Sequence, residues 1–424
     1  MQFLDLIGII LLVGFLETVI LFLYSLRWYI FTAASLKSPK SRSQTTGGDK
    51  VKKVFVSVLL PIYNEPNVVD RLLSACTSFN TPPYEVIVID DSNDGLTGQR
   101  LSKWTSHPKV RVVHRDTRSG WKGGALNVGL DHTNPESTHT LIFDADFVPS
   151  GDLVDRFLER FPEGAAAVQG YQKHDLNANE NWITRGVRVW HSLFNMIEVN
   201  GLNRVGNYVP LTGCVYMVRT DVLRKLRFRG VITEDTDLSV RLFENGYRIS
   251  FDPTLWASGE CPSTFRRLVK QQMRWAEGHT RIFRKHFFSI LRCRFLSLVD
   301  KLNFFLIGFS FLNSVLVTLL MGTWVMTSMF PSYFLPIPVV VAGLLFFVAS
   351  VPSAILASVV ALSLEGAKKD YGKIVNAWLL NTLLAPVMAY AALKGLVKGE
   401  GVFHRTFKSG KIANRLASND PRTS

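Results

Sequence analysis

Long apolar segments lie towards both ends of the chain, and a segment of mixed character lies between them. Residues 3–26, 304–330, 334–364 and 374–396 are almost wholly apolar. Each is long enough to cross a hydrocarbon core of about 30 Å at about 1.5 Å per helical residue. The first lacks a basic start and a small-residue cleavage site, which favours a membrane anchor over a signal peptide. The pattern predicts an integral, multi-pass membrane protein whose residues 53–300 fold outside the bilayer.

In that middle segment, short apolar runs alternate with segments of helical character. The runs at 54–61 and 85–89 show little polar alternation, as expected for strands buried on both faces of a parallel sheet. Further strand candidates are 110–114, 140–143 and 166–169, and helical candidates are 67–79, 95–104 and 124–131. This alternation predicts an α/β sheet of Rossmann type, whose ligands bind beyond the carboxyl ends of the strands.

Basic residues are concentrated beside the apolar segments. The chain has 424 residues and a formal net charge of +14, with many of its basic side chains in residues 27–53 and 266–294. By the positive-inside tendency, both flanks and the domain between them lie in the cytoplasm, where they also attract anionic headgroups. No nucleic-acid-binding motif accompanies the charge, so we expect no nucleic acid partner. The four widely spaced cysteines agree with a reducing compartment.

Two acidic pairs follow predicted strands. Asp144 and Asp146 come after the run at 140–143, and their spacing places two carboxylates on one side of the chain. Such a pair suits a hard cation that also holds phosphates. Asp90 and Asp91 close the run at 85–89. They either cap the next helix or accept hydrogen bonds from a nucleotide base or ribose.

A glycine-rich segment and a third acidic pair extend this pattern. Lys122 lies in the segment 120–124, whose glycine spacing is not that of a Walker phosphate-binding loop. We interpret its ammonium as a positive charge in the site of a nucleotide donor. The glycines beside it would let the backbone approach a phosphate or base. Glu234 and Asp235 begin a predicted helix at 234–245. One possibility is that the two carboxylates only stabilise the positive end of the helix dipole. The other is that one of them is a general base, which the helix N-terminus keeps ionised.

Together these features meet the needs of sugar transfer from a nucleotide donor: a nucleotide clamp, a cation for the departing pyrophosphate and a base for the acceptor hydroxyl. Direct attack by the acceptor hydroxyl, assisted by one base, inverts the configuration at the anomeric carbon. A retaining route through a carboxylate nucleophile has no clear second candidate in the sequence. The helical segment at 181–200 carries Trp190 and His191, and either lines an acceptor groove or packs its aromatic side chains into the core.

The order of the motifs resembles that of membrane-bound glycosyltransferases of family 2, the group of cellulose, hyaluronan and chitin synthases and the cellulose-synthase-like enzymes of plants. The similarity covers residues 54–290. The matching motifs are Pro-Ile-Tyr-Asn-Glu at 61–65, Asp-Asp at 90–91, Lys-Gly-Gly-Ala-Leu-Asn at 122–127, Asp-Ala-Asp at 144–146, Thr-Glu-Asp at 233–235 and Gln-Gln-Met-Arg-Trp at 271–275.

This resemblance implies an α/β GT-A (Rossmann-like) catalytic domain joined to an α-helical transmembrane region, and it implies roles for single residues. The side chains implied to bind the nucleotide-sugar are those of Tyr63, Glu65, Asp91, Lys122, Asp144, Gln271 and Arg274. Asp144 and Asp146 would hold Mg²⁺ or Mn²⁺, and Asp235 would be the catalytic base. Trp275 would stack on the acceptor sugar, because aromatic faces suit the C–H patches of sugars.

The basic tail carries a further motif. Residues 403–408 (Phe-His-Arg-Thr-Phe-Lys) resemble the gating loop of cellulose synthases, with Arg in place of Val. Gating requires a cytoplasmic tail, whereas three spans after a cytoplasmic domain would place the tail outside. Either one apolar stretch is re-entrant, or one long stretch crosses twice with Pro352 as a break. We expect a cytoplasmic tail.

The sequence therefore predicts the following organisation: an N-terminal transmembrane helix at 1–27, a cytoplasmic linker at 28–53, a GT-A domain at 54–278, amphipathic interface helices at 279–300, a C-terminal transmembrane region at 301–397 and a basic tail at 398–424. The predicted activity is inverting, metal-dependent transfer from a nucleotide-sugar, with a UDP-sugar expected, to a growing β-linked polysaccharide at the cytoplasmic membrane face.

Two other functions stay open. One is a single transfer to a membrane lipid, as in glucosylceramide synthases. The other is a membrane scaffold with an inactive transferase domain, which the presence of every acidic motif disfavours. The expected partners are a nucleotide-sugar donor, a polysaccharide or lipid acceptor and the lipid bilayer. A homo-oligomer is also left open.

Overall fold

The computed structural model describes residues 2–37, 54–80, 83–206, 208–329, 337–397 and 408–410. Most of the predicted cytoplasmic linker, from residue 38 to residue 53, lies outside these ranges. The same holds for most of the basic tail, including motif residues 403–407, so the predictions made for these segments stay predictions.

Eight strands form one mixed sheet. They are β1 (Val56–Ile62), β2 (Tyr84–Asp90), β3 (Val110–His114), β4 (His139–Ile142), β5 (Val148–Pro149), β6 (Ala165–Lys173), β7 (Tyr216–Arg219) and β8 (Arg248–Ser258). Their order across the sheet is β3-β2-β1-β4-β7-β6-β8-β5. The five strands predicted from the sequence correspond to β1–β4 and β6.

Helices surround the sheet and continue into the apolar segments. The helices of the central region are α2 (Val69–Cys76), α3 (Leu96–Ser102), α4 (Trp121–Asp131), α5 (Leu153–Glu159), α6 (Trp182–Leu193), α7 (Asn200–Val205), α8 (Thr220–Leu226), α9 (Glu234–Glu244) and α10 (Phe265–Arg292). The apolar helices are α1 (Gln2–Leu36), α11 (Leu298–Gly308), α12 (Asn313–Met329), α13 (Ile337–Leu364) and α14 (Ile374–Val397). A π-helical segment, Phe194–Val199, joins α6 to α7.

Strand direction explains where the site forms. β1, β2, β3 and β4 pair in parallel. β7 is antiparallel to both β4 and β6, and β6 is parallel to β8, so six strands point the same way. Only β5 and β7 run in reverse, where the sequence predicted a parallel sheet. A strand that runs parallel to its neighbour needs a crossover connection, usually a helix packed on the sheet. The helices before β7, α6 and α7, pack mainly against apolar helices instead, and β7 runs antiparallel.

Both faces of the sheet are buried, which accounts for the weak polar alternation of the first two strands. On one face, Leu59 and Ile87 pack with Leu126 of α4. On the other face, Val58 and Val86 belong to the second core cluster, which also contains side chains of α2. The two cores hold the carboxyl ends of the strands in fixed relative positions.

Two of the described helical segments are long and apolar enough to cross a membrane, namely Thr18–Leu36 and Lys368–Val397. A third span is present if the pair Leu298–Gly308 and Asn313–Gly322, bent by 48°, counts as one. Ser350–Leu364 is a shorter apolar helix within the described part of α13. The helices identify candidate membrane segments on both sides of the catalytic domain in the chain.

A buried ion-pair network joins the catalytic domain to the apolar helices. Arg188 of α6 pairs with Glu365, which follows α13, at 2.9 Å between Nη2 and Oε2, and both side chains are only 2% exposed. The Tyr171 hydroxyl and the Ser192 hydroxyl both donate to the same carboxylate. Since Glu365 accepts from three groups at once, the network fixes α6 against the end of α13.

We predict that Arg188→Met destabilises the protein strongly. Removing one partner of a buried pair leaves an uncompensated charge, which costs about 3–5 kcal/mol. Arg100→Met is the matched control, because the pair that Arg100 forms with Asp70 is exposed and exposed pairs contribute about 0–1 kcal/mol. Thermal unfolding in detergent compares the two variants. Equal melting temperatures would contradict a structural role for the network.

Candidate active site

A cavity of about 1100 Å³ opens at the carboxyl ends of the parallel strands and continues between the apolar helices. Every site residue predicted from the sequence lines it. These residues are Tyr63, Glu65, Asp91, Lys122, Asp144, Asp146, Asp235, Gln271, Arg274 and Trp275. Because they come from separate parts of the chain, the fold itself assembles them in one place.

At one end of the cavity, a buried carboxylate and an aromatic ring each contact an arginine side chain. Asp91, directly after β2, accepts from Arg115 in bidentate geometry, with Nε–Oδ1 at 2.6 Å and Nη2–Oδ2 at 2.8 Å. The guanidinium of Arg118 lies over the ring of Tyr63, 3.3 Å from its centroid. Asp94 accepts from the backbone of Thr97 in α3, so the capping alternative considered for Asp91 belongs to Asp94.

Lys122 lies at the centre of the acidic side chains. Its Nζ is 2.6 Å from Asp144 Oδ1 and 3.3 Å from Glu234 Oε1, and it donates to the carbonyl oxygen of Gly213 at 2.7 Å. Burial by itself lowers the pKa of Lys122, but the carboxylates of Asp144 and Glu234 raise it well above its ordinary value. The ammonium therefore stays charged and neutralises two motifs that are 90 residues apart in the chain.

The glycines beside Lys122 pack closely against protein backbone. A Cβ on Gly123 would lie 2.5 Å from the carbonyl oxygen of Arg229, and one on Gly124 would meet the carbonyl oxygen of Ser119. Glycine is needed here because the first turn of α4 packs closely against protein backbone. The expectation that these glycines admit a phosphate or base stays a prediction.

Asp235 lies in the first turn of α9 and faces the cavity. Burial raises the pKa of Asp235 above its ordinary value, and burial raises the pKa of its neighbour Glu234 to about 7. Lys122 opposes both shifts. A carboxylate with a raised pKa is a stronger base once it is ionised, so Asp235 can accept a proton from a hydroxyl in the cavity.

The two carboxylates of the Asp-Ala-Asp motif differ in exposure and in the side chains that they contact. The Asp144 side chain is 40% exposed, whereas that of Asp146 is buried and lies 2.6 Å from Nζ of Lys408. Within the described ranges, no three His, Cys, Asp or Glu side chains are grouped to hold a metal ion. Mg²⁺ in nucleotide sites uses one or two carboxylates and completes its shell with phosphates and water. The pair fits an ion bound together with a diphosphate.

The end of the described chain reaches into this site. The backbone N–H groups of Ser409 and Gly410 donate to the carboxylate of Glu260 at 3.0 and 3.1 Å, and Arg71 pairs with it at 2.8 Å. Lys408 is the one residue of the predicted gating motif that the structure describes. The tail segment 408–410 therefore lies against the catalytic domain.

The second end of the cavity is built from α10 and α6. Gln271 Oε1 is buried and has no hydrogen-bond partner among the described residues, while Trp275 lies one turn further along the same helix. Helix α6 both packs against an apolar helix and lines the cavity. Trp190 donates to the carbonyl oxygen of Ala377 in α14 at 3.1 Å, and His191 lines the cavity.

Several side chains at the site were absent from the predicted set. Arg115, Glu260 and His174 each follow the end of a strand that points towards the cavity, namely β3, β8 and β6. The rule that ligands bind beyond the carboxyl ends of strands could have identified them.

The mixed sheet and the carboxylates at its strand ends define a glycosyltransferase with a GT-A fold. Residues 57–227 match the model of glycosyl transferase family 2, so the chain carries a family 2 glycosyltransferase domain. The resemblance inferred from the motif order is confirmed.

Similar proteins give the same class. The chain is 29% identical over 279 residues to glucomannan 4-beta-mannosyltransferase 7 of Arabidopsis thaliana, covering 63% of this chain and 50% of that protein. It is 27% identical over 382 residues to "Probable glucomannan 4-beta-mannosyltransferase 7" of Oryza sativa subsp. japonica, covering 85% of this chain and 62% of that protein. The chain thus spans about half to three fifths of these relatives' length.

A solved structure shares the fold. It is a mannosyltransferase from Pyrobaculum calidifontis in complex with GDP-Man and Mn²⁺, with a TM-score of 0.62 at 18% identity. The similarity covers 88% of this chain and 98% of that protein, and therefore includes helices outside the sheet domain.

We predict that Arg115→Met weakens nucleotide binding without a direct contact to the nucleotide. Asp91 would lose its bidentate partner and its fixed orientation, so we expect the Kd for GDP or UDP, whichever binds, to rise about 10- to 100-fold. Isothermal titration calorimetry measures this change. Arg111→Met on the same strand is the control, because Arg111 is exposed and, among the described residues, bonds only the carbonyl oxygen of His132. An unchanged Kd for Arg115→Met would contradict the role of Asp91.

Proposed function

We propose that this glycosyltransferase transfers a hexosyl residue, with mannosyl as the first candidate, from a nucleotide-sugar to a carbohydrate acceptor at the cytoplasmic membrane face, with inversion. The observation that carries the proposal is the position of Asp235 in the same cavity as Lys122 and the Asp-Ala-Asp motif. Mannose is supported by the names of the relatives, which are glucomannan mannosyltransferases.

The donor occupies the end of the cavity at Tyr63 and Asp91. The ring of Tyr63 and the guanidinium of Arg118 offer flat surfaces for a nucleobase, and Asp91 offers a fixed acceptor. Asp144 and Asp146 would hold Mg²⁺ or Mn²⁺. When bound, the cation neutralises the charge of the departing nucleoside diphosphate. The nucleobase of the donor is uracil, as the motif order predicts, or guanine, as in the donor of the solved neighbour.

Asp235 acts as the single general base. It takes the proton of the acceptor hydroxyl while that oxygen forms a bond to the anomeric carbon and the bond from that carbon to the diphosphate breaks. Burial favours this role, because it raises the pKa of Asp235. One direct displacement inverts the configuration, so an α-linked donor gives a β-linked product.

The first candidate for the acceptor is a growing β-linked polysaccharide, as the names of the relatives indicate. A membrane lipid is the second, and one feature favours it. Beyond Trp275 the cavity continues between the apolar helices, where aliphatic side chains form much of its wall. Examples are Val351, Ile355, Val359 and Val375. A lipid chain suits such a wall better than a polar glycan does.

Product analysis separates the two candidates. The protein in nanodiscs is incubated with radiolabelled GDP-mannose and a panel of UDP-hexoses, with Mg²⁺ or Mn²⁺, and products are separated by size and by organic extraction. A high-mass, glycosidase-sensitive product supports the polysaccharide. Label confined to the organic phase supports the lipid, and release of no nucleotide from any donor would contradict the proposed function.

Asp235→Asn is predicted to abolish transfer while donor affinity stays nearly unchanged. An amide cannot accept the proton, so we expect kcat to fall by at least about 10²-fold. Donor Kd from calorimetry and product formation give the two readouts. Asp221→Asn is the control, because Asp221 is an exposed carboxylate in the first turn of α8. Retained turnover in Asp235→Asn would exclude Asp235 as the base.

Asp146→Ala is predicted to affect metal-dependent donor binding. We expect the stimulation of donor binding by Mg²⁺ or Mn²⁺ to fall about tenfold or more, because one of two cation ligands is lost. Donor affinity is titrated with and without the cation. Asp152→Ala, an exposed carboxylate before α5, should keep full stimulation. Equal stimulation in both variants would exclude Asp146 as a cation ligand.

A further inference from the structure

A pair of histidines lines the cavity next to Trp275. His174, directly after β6, stacks on His191 of α6, with ring centroids 3.5 Å apart and ring planes inclined by 12°. His191 meets Trp275 in a T-shaped contact, with centroids 6.2 Å apart and an angle of 79°. All three side chains line the cavity that contains Asp235. None of the sequence motifs assigns a role to either histidine.

We infer that His174 and His191 form, together with Trp275, the subsite that binds a hexopyranose unit of the acceptor. This inference rests on the proposed glycosyl transfer and adds the residues that select and orient its acceptor. It applies to the sugar of a polysaccharide and to the sugar of a glycolipid alike, because both present the same ring.

The hydrogen bonds of the histidines support a role beyond packing. Among the described residues, His174 uses only Nδ1, in a contact of 3.2 Å with the carbonyl oxygen of Gln172, and His191 uses neither ring nitrogen. An apolar side chain would fill the same space without the cost of removing polar nitrogens from water. Ring nitrogens that face the cavity can instead bond with ligand hydroxyls.

The charge state of the pair suits a sugar. Burial lowers the pKa of His174 to about 3 and lowers that of His191 well below its ordinary value. Lys408 and, for His191, the neighbouring His174 lower it further. Neutral His174 donates from Nδ1 to the carbonyl oxygen of Gln172 and keeps Nε2 as an acceptor. Neutral His191 has one donor and one acceptor nitrogen, so the pair can both donate to and accept from ligand hydroxyls. Two protonated rings at this separation would repel each other.

Helix α10 adds two groups that fit the same ligand. Gln271 and Trp275 are four residues apart, so they lie on the same face of the helix. The buried, unpartnered Oε1 of Gln271 can accept from a sugar hydroxyl. Trp275 supplies a flat surface for the C–H patch of a pyranose, while the histidines bond its hydroxyls at the ring edge.

The test separates acceptor binding from donor binding. β-1,4-linked mannotetraose serves as the probe, and its binding is measured by calorimetry on the full-length protein in nanodiscs with GDP or UDP present. We compare wild type with His174→Phe and His191→Phe, which keep an aromatic ring and remove the hydrogen-bonding nitrogens. We expect the Kd for mannotetraose to rise at least about tenfold, while the Kd for the nucleotide stays within about twofold.

Two further variants protect the test from a folding defect. His191→Gln restores a donor and an acceptor, and should recover part of the lost mannotetraose affinity. His139→Phe is the matched control, since His139 also packs against an aromatic ring, Phe161, and does not line the cavity. Nucleotide binding and melting temperature report folding in every variant.

The outcomes distinguish this inference from the proposed function. Unchanged mannotetraose affinity in both phenylalanine variants, or a wild type that binds nucleotide and no mannotetraose, would overturn the subsite while leaving glycosyl transfer in place. A wild type that neither binds nor turns over any nucleotide-sugar would overturn the proposed function itself.

Discussion

The site depends on one electrostatic constraint, which is the need to hold several carboxylates close together in a partly buried cavity. Lys122 meets that constraint, because its ammonium lies within 2.6 Å of Asp144 and 3.3 Å of Glu234. Without such a cation, neighbouring buried carboxylates would take up protons, as the raised pKa of Glu234 already indicates. The start of α4 thereby ties the motif that follows β4 to the first turn of α9.

The apolar helices also form part of the cavity. The cavity is not closed by the sheet domain alone, because α10, α6 and the apolar helices complete its wall. The buried pair of Arg188 and Glu365 fixes α6, which carries His191, against the end of α13. The position of the proposed acceptor subsite therefore depends on contacts with the apolar helices. In the proposed function, donor binding depends mainly on strand ends, and acceptor binding depends on helix packing.

The sequence predicted the parts of the structure whose signal is local. The buried strands β1 and β2 follow from continuous apolar runs, and Asp144, Asp146 and Asp235 from short motifs beside predicted elements. Contacts between distant segments have no such signal. The pairing of Arg115 with Asp91 and the stacking of His174 on His191 depend on the sheet order, which no local pattern specifies. The reversed strand β7 was missed for the same reason.

The anomeric configuration of the product tests the central claim most directly. The account requires one displacement assisted by a single base, Asp235, with no carboxylate nucleophile. NMR of the product formed from an α-linked nucleotide-sugar reports the configuration of the new bond. The measurement applies to a polysaccharide product and to a lipid product alike. A β-linked product is predicted. An α-linked product would require a covalent intermediate or front-side attack, and would contradict the role assigned to Asp235.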